Sequence, residues 1–144
     1  MSIEAILHHK GRTVITIEHD ATVRRAAERL AELNIAALVV TKGNSILGII
    51  SEREIARAVP AYGDRIASIT ISALLVRNVV TISPDDNLMH AMNLMTRHRT
   101  RHLLVLRGGG DLVGIVSIGD VVKHRLNDLE LETNVLRDLY IAAH

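Results

Sequence analysis

The chain has 144 residues, 48% of them hydrophobic, a length and apolar share that suit one unit of ordinary domain size with its own core. A formal charge of +1, two Tyr and no Phe or Trp argue against a nucleic-acid partner, which needs a basic surface or rings on which bases stack. With no Cys there is neither a disulfide framework nor a thiolate metal site, and no run of about eighteen apolar residues offers a membrane span.

The chain opens on Met1-Ser2-Ile3-Glu4, with an acid where a signal peptide carries bases, so a cytoplasmic protein with no membrane partner is expected. Residues 1–13 are read as an N-terminal segment with a short helix. Val14 to Ile17 is a β-branched run that predicts a strand. Asp20-Ala21-Thr22 then supplies helix-start residues before Val23, Ala26, Ala27, Leu30 and Leu33 at helical spacing. Ala36 to Thr41 predicts a buried strand, Lys42-Gly43-Asn44-Ser45 a turn and Ile46 to Ile50 its hairpin partner. Ile55, Ala56 and Val59 mark a second helix, and a connector over 60–78 carries a short helix around Ile71 to Leu75.

From Val79 the same order returns. Val14-Ile15-Thr16-Ile17 matches Val79-Val80-Thr81-Ile82, Asp20 matches Asp85, Ala26 matches Ala91 and Leu38 matches Leu103. One extra residue in Gly108-Gly109-Gly110, a predicted hairpin turn, shifts the register before Gly48-Ile49-Ile50-Ser51 meets Gly114-Ile115-Val116-Ser117. Ser83-Pro84-Asp85-Asp86 is expected to open the second copy's first helix, with Pro84 in its first turn. The fold class is therefore mixed α/β (α+β): two β-α-β-β-α repeats, at 14–59 and 79–124. Two copies are too few for a solenoid, so a pseudo-twofold pair is expected. A long helix follows, with an extension over 125–144. Its apolar positions Leu126, Leu129, Val135, Leu136 and Leu139 suit either packing on its own domain or a homodimer interface.

The sharpest chemical element is Gly114-Ile115-Val116-Ser117-Ile118-Gly119-Asp120, a strand that ends in a hydroxyl and turns into a helix with a carboxylate three residues on. One reading is a capping box. The other is a nucleotide site, in which the helix N-terminus and Ser117 meet phosphate while Asp120 accepts from ribose hydroxyls. Arg101-His102 enters the strand expected to pair beside Ser117, and a guanidinium there gives charge-assisted bonds to phosphate. The eight His include no helical i, i+4 pair suited to zinc.

Two copies in this order, with Gly48-Ile49-Ile50-Ser51-Glu52-Arg53-Glu54 paired to Gly114–Asp120 and Arg101-His102 entering a strand, resemble a tandem cystathionine-β-synthase (CBS) domain pair. Such a pair is a Bateman module, and the resemblance is to the stand-alone bacterial kind. The resemblance implies a cleft between the repeats that holds adenosyl ligands such as AMP, ADP, ATP, NAD(H) or S-adenosylmethionine. It implies ribose binding by Asp120, phosphate contacts from Ser117, Arg101 and His102, and adenine contacts along Val79, Val80 and Thr81. Ser51 and Arg53 would face the neighbouring half of that cleft, with Glu54 as the first copy's counterpart of the ribose-binding acid. The first copy departs from this pattern, since Ala36-Ala37 stands where the second has Arg101-His102 and Glu54 where it has Asp120.

The expected function is that of a non-catalytic sensor. Its adenine nucleotide is a regulatory ligand rather than a catalytic cofactor, and its signal passes through conformational or dimer rearrangement to a regulated protein. No paired catalytic carboxylates or cofactor loop support the alternative of an enzyme. A structural adaptor that dimerises through its helices, with vestigial ligand sites, is the second alternative.

Overall fold

Both repeats fold in the β-α-β-β-α order. The computed structural model describes residues 1–143; His144, at the end of the expected extension, lies outside them. The elements are α1 (Ile3–Lys10), β1 (Thr16–Glu18), α2 (Val23–Leu33), β2 (Ala37–Lys42), β3 (Ser45–Ser51), α3 (Glu52–Tyr62), β4 (Thr81–Ile82), α4 (Leu88–His98), β5 (His102–Arg107), β6 (Asp111–Ser117) and α5 (Ile118–Ala143). Two short 3-10 turns, Gly63–Ser68 and Ile71–Ala73, lie in the connector.

The chain divides into a unit of Thr13–Val79 and a unit of Met1–Arg12 with the chain from Val80 onward. In the first, a sheet of order β1-β2-β3 buries Leu38, Val40 and Ile50 against Val23, Ala26 and Leu30 of α2 and against Ile71 and Leu75 of the connector. In the second, a sheet of order β4-β5-β6 buries Leu103, Val105 and Val116 against Leu88, Ala91 and Met95 of α4, Ile3, Ile6 and Leu7 of α1, and Val121 of α5. In each sheet the outer strand runs parallel to the central one, and the hairpin pair is antiparallel.

Several element boundaries differ from the sequence expectations. The first strand is Thr16–Glu18 rather than Val14 to Ile17, with Ile15 packed on the core and its carbonyl accepting from Val39 N–H at 3.0 Å. Strand β4 is only Thr81–Ile82, preceded by a Val80 carbonyl accepting from Leu104 N–H at 3.1 Å. Ser83–Asp86 does not open α4. Asp86 Oδ2 accepts from Ser83 N–H at 2.9 Å and Asp86 N–H donates to the Ser83 carbonyl at 3.1 Å, closing a separate turn around Pro84. The cap is Asn87, whose Oδ1 accepts from His90 N–H at 2.8 Å, as Thr22 Oγ1 accepts from Arg25 N–H at 3.1 Å at the start of α2. Both helices close on a left-handed residue, Asn34 (φ 52°) and Arg99 (φ 51°). In α3, Ile55 and Ala58 lie three apart and turn inward together, which leaves Val59 outside.

The duplication extends to a bulge. The register slips between Val40 and Thr41 in one hairpin and between Val105 and Leu106 in the other, beside Gly48 and Gly114. Each glycine admits a different neighbour. A Cβ on Gly48 would lie 2.0 Å from the Val76 carbonyl oxygen, because Val76 exchanges two backbone hydrogen bonds with Ile49. A Cβ on Gly114 would lie 2.6 Å from Leu7 Cδ2, because α1 lies against β6. The same position in the two repeats thus receives the connector in one and the N-terminal helix in the other.

Helix α5 buries only Val121 and His124. Every described residue from Leu129 on is exposed, so the expectation that the apolar stripe packs on its own domain fails over that stretch. Val122 and Leu126 border a mostly apolar groove with Met92, Met95 and Ile118 between α4 and α5.

Overpacking typically costs about 1–3 kcal/mol, and a backbone carbonyl yields less readily than a side chain. Gly48→Ala is therefore expected to destabilise by about 3 kcal/mol or more and Gly114→Ala by less, as read from urea-unfolding midpoints.

Candidate functional site

The second hairpin delivers Ser117 at the end of β6, and the chain turns there directly into α5. Ser117 N–H donates to Asp120 Oδ2 at 2.8 Å, and its hydroxyl donates to the same oxygen at 2.9 Å. Asp120 N–H donates back to Ser117 Oγ at 3.2 Å. This is the reciprocal arrangement of a capping box, so the structural half of the sequence reading holds. It also fixes an ionised carboxylate at a helix N-terminus, where unpaired N–H groups and the dipole favour an anion nearby.

A lysine that the sequence did not single out completes the cluster. Lys10 Nζ lies 2.6 Å from Asp120 Oδ2 and donates to the Ile115 carbonyl at 2.8 Å. It is the last residue of α1, whose Ile3, Ile6 and Leu7 are fully buried, so the helix that presents the ammonium is firmly seated. Burial pushes the Asp120 carboxyl up. The hydrogen bonds from Lys10 and from Ser117 outweigh it, together with the ammonium charge, and hold the group below its ordinary value of 3.8.

Arg101 and His102 reach the same turn from the neighbouring strand. His102 is paired with Ser117 across the ladder, and the Arg101 carbonyl accepts from Ile118 N–H at 2.8 Å. The Arg101 side chain is exposed and that of His102 half-buried. The His102 backbone is tied to Thr100, whose hydroxyl donates to the His102 carbonyl at 3.1 Å. Val80 and Thr81 belong to this unit, whereas Val79, Ser51, Arg53 and Glu54 belong to the other.

In the first repeat the turn is built the same way with a longer acid. Glu54 Oε1 accepts from Ser51 N–H at 2.8 Å and from the Ser51 hydroxyl at 2.7 Å, while Arg53 N–H donates to Ser51 Oγ at 3.2 Å. The Ala36 carbonyl accepts from Glu52 N–H at 3.1 Å, where Arg101 serves Ile118 in the second repeat. The backbone chemistry is thus duplicated and the side-chain charge is not.

The CBS domain family model matches the chain twice, at residues 10–61 and 71–127. The chain belongs to the CBS domain family. It is 31% identical over 131 residues to the mitochondrial CBS domain-containing protein CBSX3 of Arabidopsis thaliana, a match over 85% of this chain that spans only 63% of that relative's length. A CBS-domain containing protein of Agrobacterium tumefaciens has a solved structure that superposes with a TM-score of 0.83 at 37% identity, covering 86% of this chain and 92% of that one. The CBS domain protein of Pyrobaculum aerophilum complexed with AMP superposes at 0.76 with 29% identity, covering 92% and 99%.

The lowered Asp120 value carries a pH signature for this CBS-domain protein. A depressed carboxylate contributes stability that is complete above its unfolded value and is lost as pH falls through the native one. Asp120→Asn is expected to cost about 1–2 kcal/mol at neutral pH. That difference from wild type should shrink to nothing as pH falls below the ordinary carboxylate value of 3.8, as read from urea midpoints across a pH series.

Proposed function

We propose that the chain is an adenine-nucleotide-binding regulatory module without catalytic activity. The observation that carries this reading is the turn at Ser117–Asp120, where a fixed carboxylate, a helix N-terminus and the basic residues Lys10 and Arg101 converge on one strand end. In this reading Asp120 accepts from the ribose hydroxyls, and Ser117, Arg101 and His102 serve the phosphates. Val79, Val80 and Thr81 line the adenine. Membership in the CBS family and the AMP complex of the Pyrobaculum relative support an adenosyl ligand, drawn from AMP, ADP, ATP, NAD(H) and S-adenosylmethionine. Ser51, Arg53 and Glu54 form a second, weaker site, because the first repeat has Ala36-Ala37 in place of the basic pair.

Regulation requires the ligand to bind one arrangement of the protein more tightly than another. In this reading the signal passes to a regulated protein or to the oligomer, and the setting is the cytoplasm. Isothermal titration with AMP, ATP, NADH and S-adenosylmethionine tests the reading. Binding is expected with at least one, lost in Asp120→Ala and retained in Glu54→Ala, and no heat with any of the four sinks it.

The exposed face of α5 favours a homodimer as the assembly that carries the signal. Val122, Leu126, Leu129, Thr133, Leu136, Tyr140 and Ala143 follow alternating spacings of four and three, the pattern of a coiled-coil seam. Thr133 donates its hydroxyl to the Leu129 carbonyl at 2.9 Å, which leaves its methyl for the seam. An antiparallel pairing that sets Thr133 opposite Leu136 of the partner subunit would bring Arg137 beside Glu130 of the partner subunit, opposite charges flanking the apolar row. The groove between α4 and α5 continues that row through Val122 and Leu126. Light scattering is expected to give a dimer for the wild type and a monomer for the double variant Leu129→Glu/Leu136→Glu. A wild-type monomer at high protein concentration overturns the dimer.

A further inference from the structure

One oxygen of the carboxylate that the proposed reading assigns to ribose is already engaged. Asp120 Oδ2 takes the Lys10 ammonium at 2.6 Å as well as two hydrogen bonds from Ser117. Lys10 is no loose surface lysine: its side chain is 28% exposed, and a second bond to the Ile115 carbonyl holds it. Its helix is anchored by Leu7, which occupies the space that Gly114 leaves open. The connector that takes the equivalent place in the first repeat contains no lysine.

A ribose diol that hydrogen-bonds to both oxygens of Asp120 competes with this ammonium for Oδ2, and an ion pair that loses one partner leaves the other less well compensated. A ligand with an anionic 5′ group offers the displaced ammonium a new partner of the same sign as the one it gives up. A ligand with an uncharged or cationic 5′ group offers none. We infer that Lys10 is a specificity-determining residue, which makes the second-repeat site select 5′-phosphorylated adenosyl ligands over uncharged or cationic ones.

This inference rests on the nucleotide-binding reading, and a comparison of two ligands separates the two. Calorimetric affinities for AMP and for 5′-methylthioadenosine, which share the adenosyl group and differ in 5′ charge, are measured on wild type, Lys10→Met and Lys10→Arg. Wild type and Lys10→Arg are expected to prefer AMP at least tenfold. In Lys10→Met the ratio should approach one through opposite changes: AMP weakens with the loss of a cation, and 5′-methylthioadenosine tightens because Asp120 is released. A purely structural role for Lys10 would weaken both ligands together. AMP binding with an unchanged ratio in Lys10→Met, or both ligands weakening in parallel, overturns the inference and leaves the nucleotide reading standing. Failure of wild type to bind either ligand overturns the inference, and the nucleotide reading falls with it only if ATP, NADH and S-adenosylmethionine give no heat as well. Lys10→Gln provides a second neutral variant should Lys10→Met not fold, with the same expectation.

Discussion

Each repeat depends on one turn, in which a serine at the end of a strand caps the following helix and an acid three residues on locks the serine's own N–H and hydroxyl. The constraint is local and strong. It commits one carboxylate oxygen to two fixed donors, so both strand end and helix start are held without a loop between them. Because the central strand pairs with this strand end, whatever residue enters that strand is carried to the same place. In the second repeat the entering residues are Arg101 and His102; in the first they are Ala36 and Ala37.

The glycine earlier in the same strand sets a second constraint. Beside it the hairpin register slips, and the missing side chain lets another segment come into contact. The duplicated scaffold is asymmetric because that segment differs. The connector brings backbone to Gly48 and forms a bridge at Ile49, whereas α1 brings a leucine to Gly114 and, one turn later, a lysine to the carboxylate. The difference between the two candidate sites therefore lies as much in what packs against each sheet as in the motif residues.

The electrostatics follow from that packing. An acid at a helix start is commonly stabilised by the dipole alone, worth a few tenths to one kcal/mol at an exposed site. At Asp120 the part-buried position raises the cost of the charge, and the ammonium with the serine donors more than offsets it. The result is a carboxylate that stays ionised at any pH near neutrality. A ligand that needs its Oδ2 must exchange partners there.

Much of the architecture was legible in the sequence because repeats, β-branched runs and capping residues are local signals. The strand and helix order of both copies, the hairpin turn at Gly108–Gly110 and the pairing of Arg101-His102 beside Ser117 all follow from them. Boundaries failed where two local signals competed: Ser83–Asp86 reads as a helix start, but its side chains close a turn of their own and Asn87 takes the cap. The exposure of α5 from Leu129 on was beyond reach, since an apolar stripe states that a face needs cover and not which surface supplies it. Lys10 is the clearest case. No periodicity or spacing links it to an acid so distant in the chain, and only the burial of α1 against β6 makes them neighbours. The sequence by itself determined the repeated unit and the residues of its capping turns; tertiary packing decided which charge stands beside them.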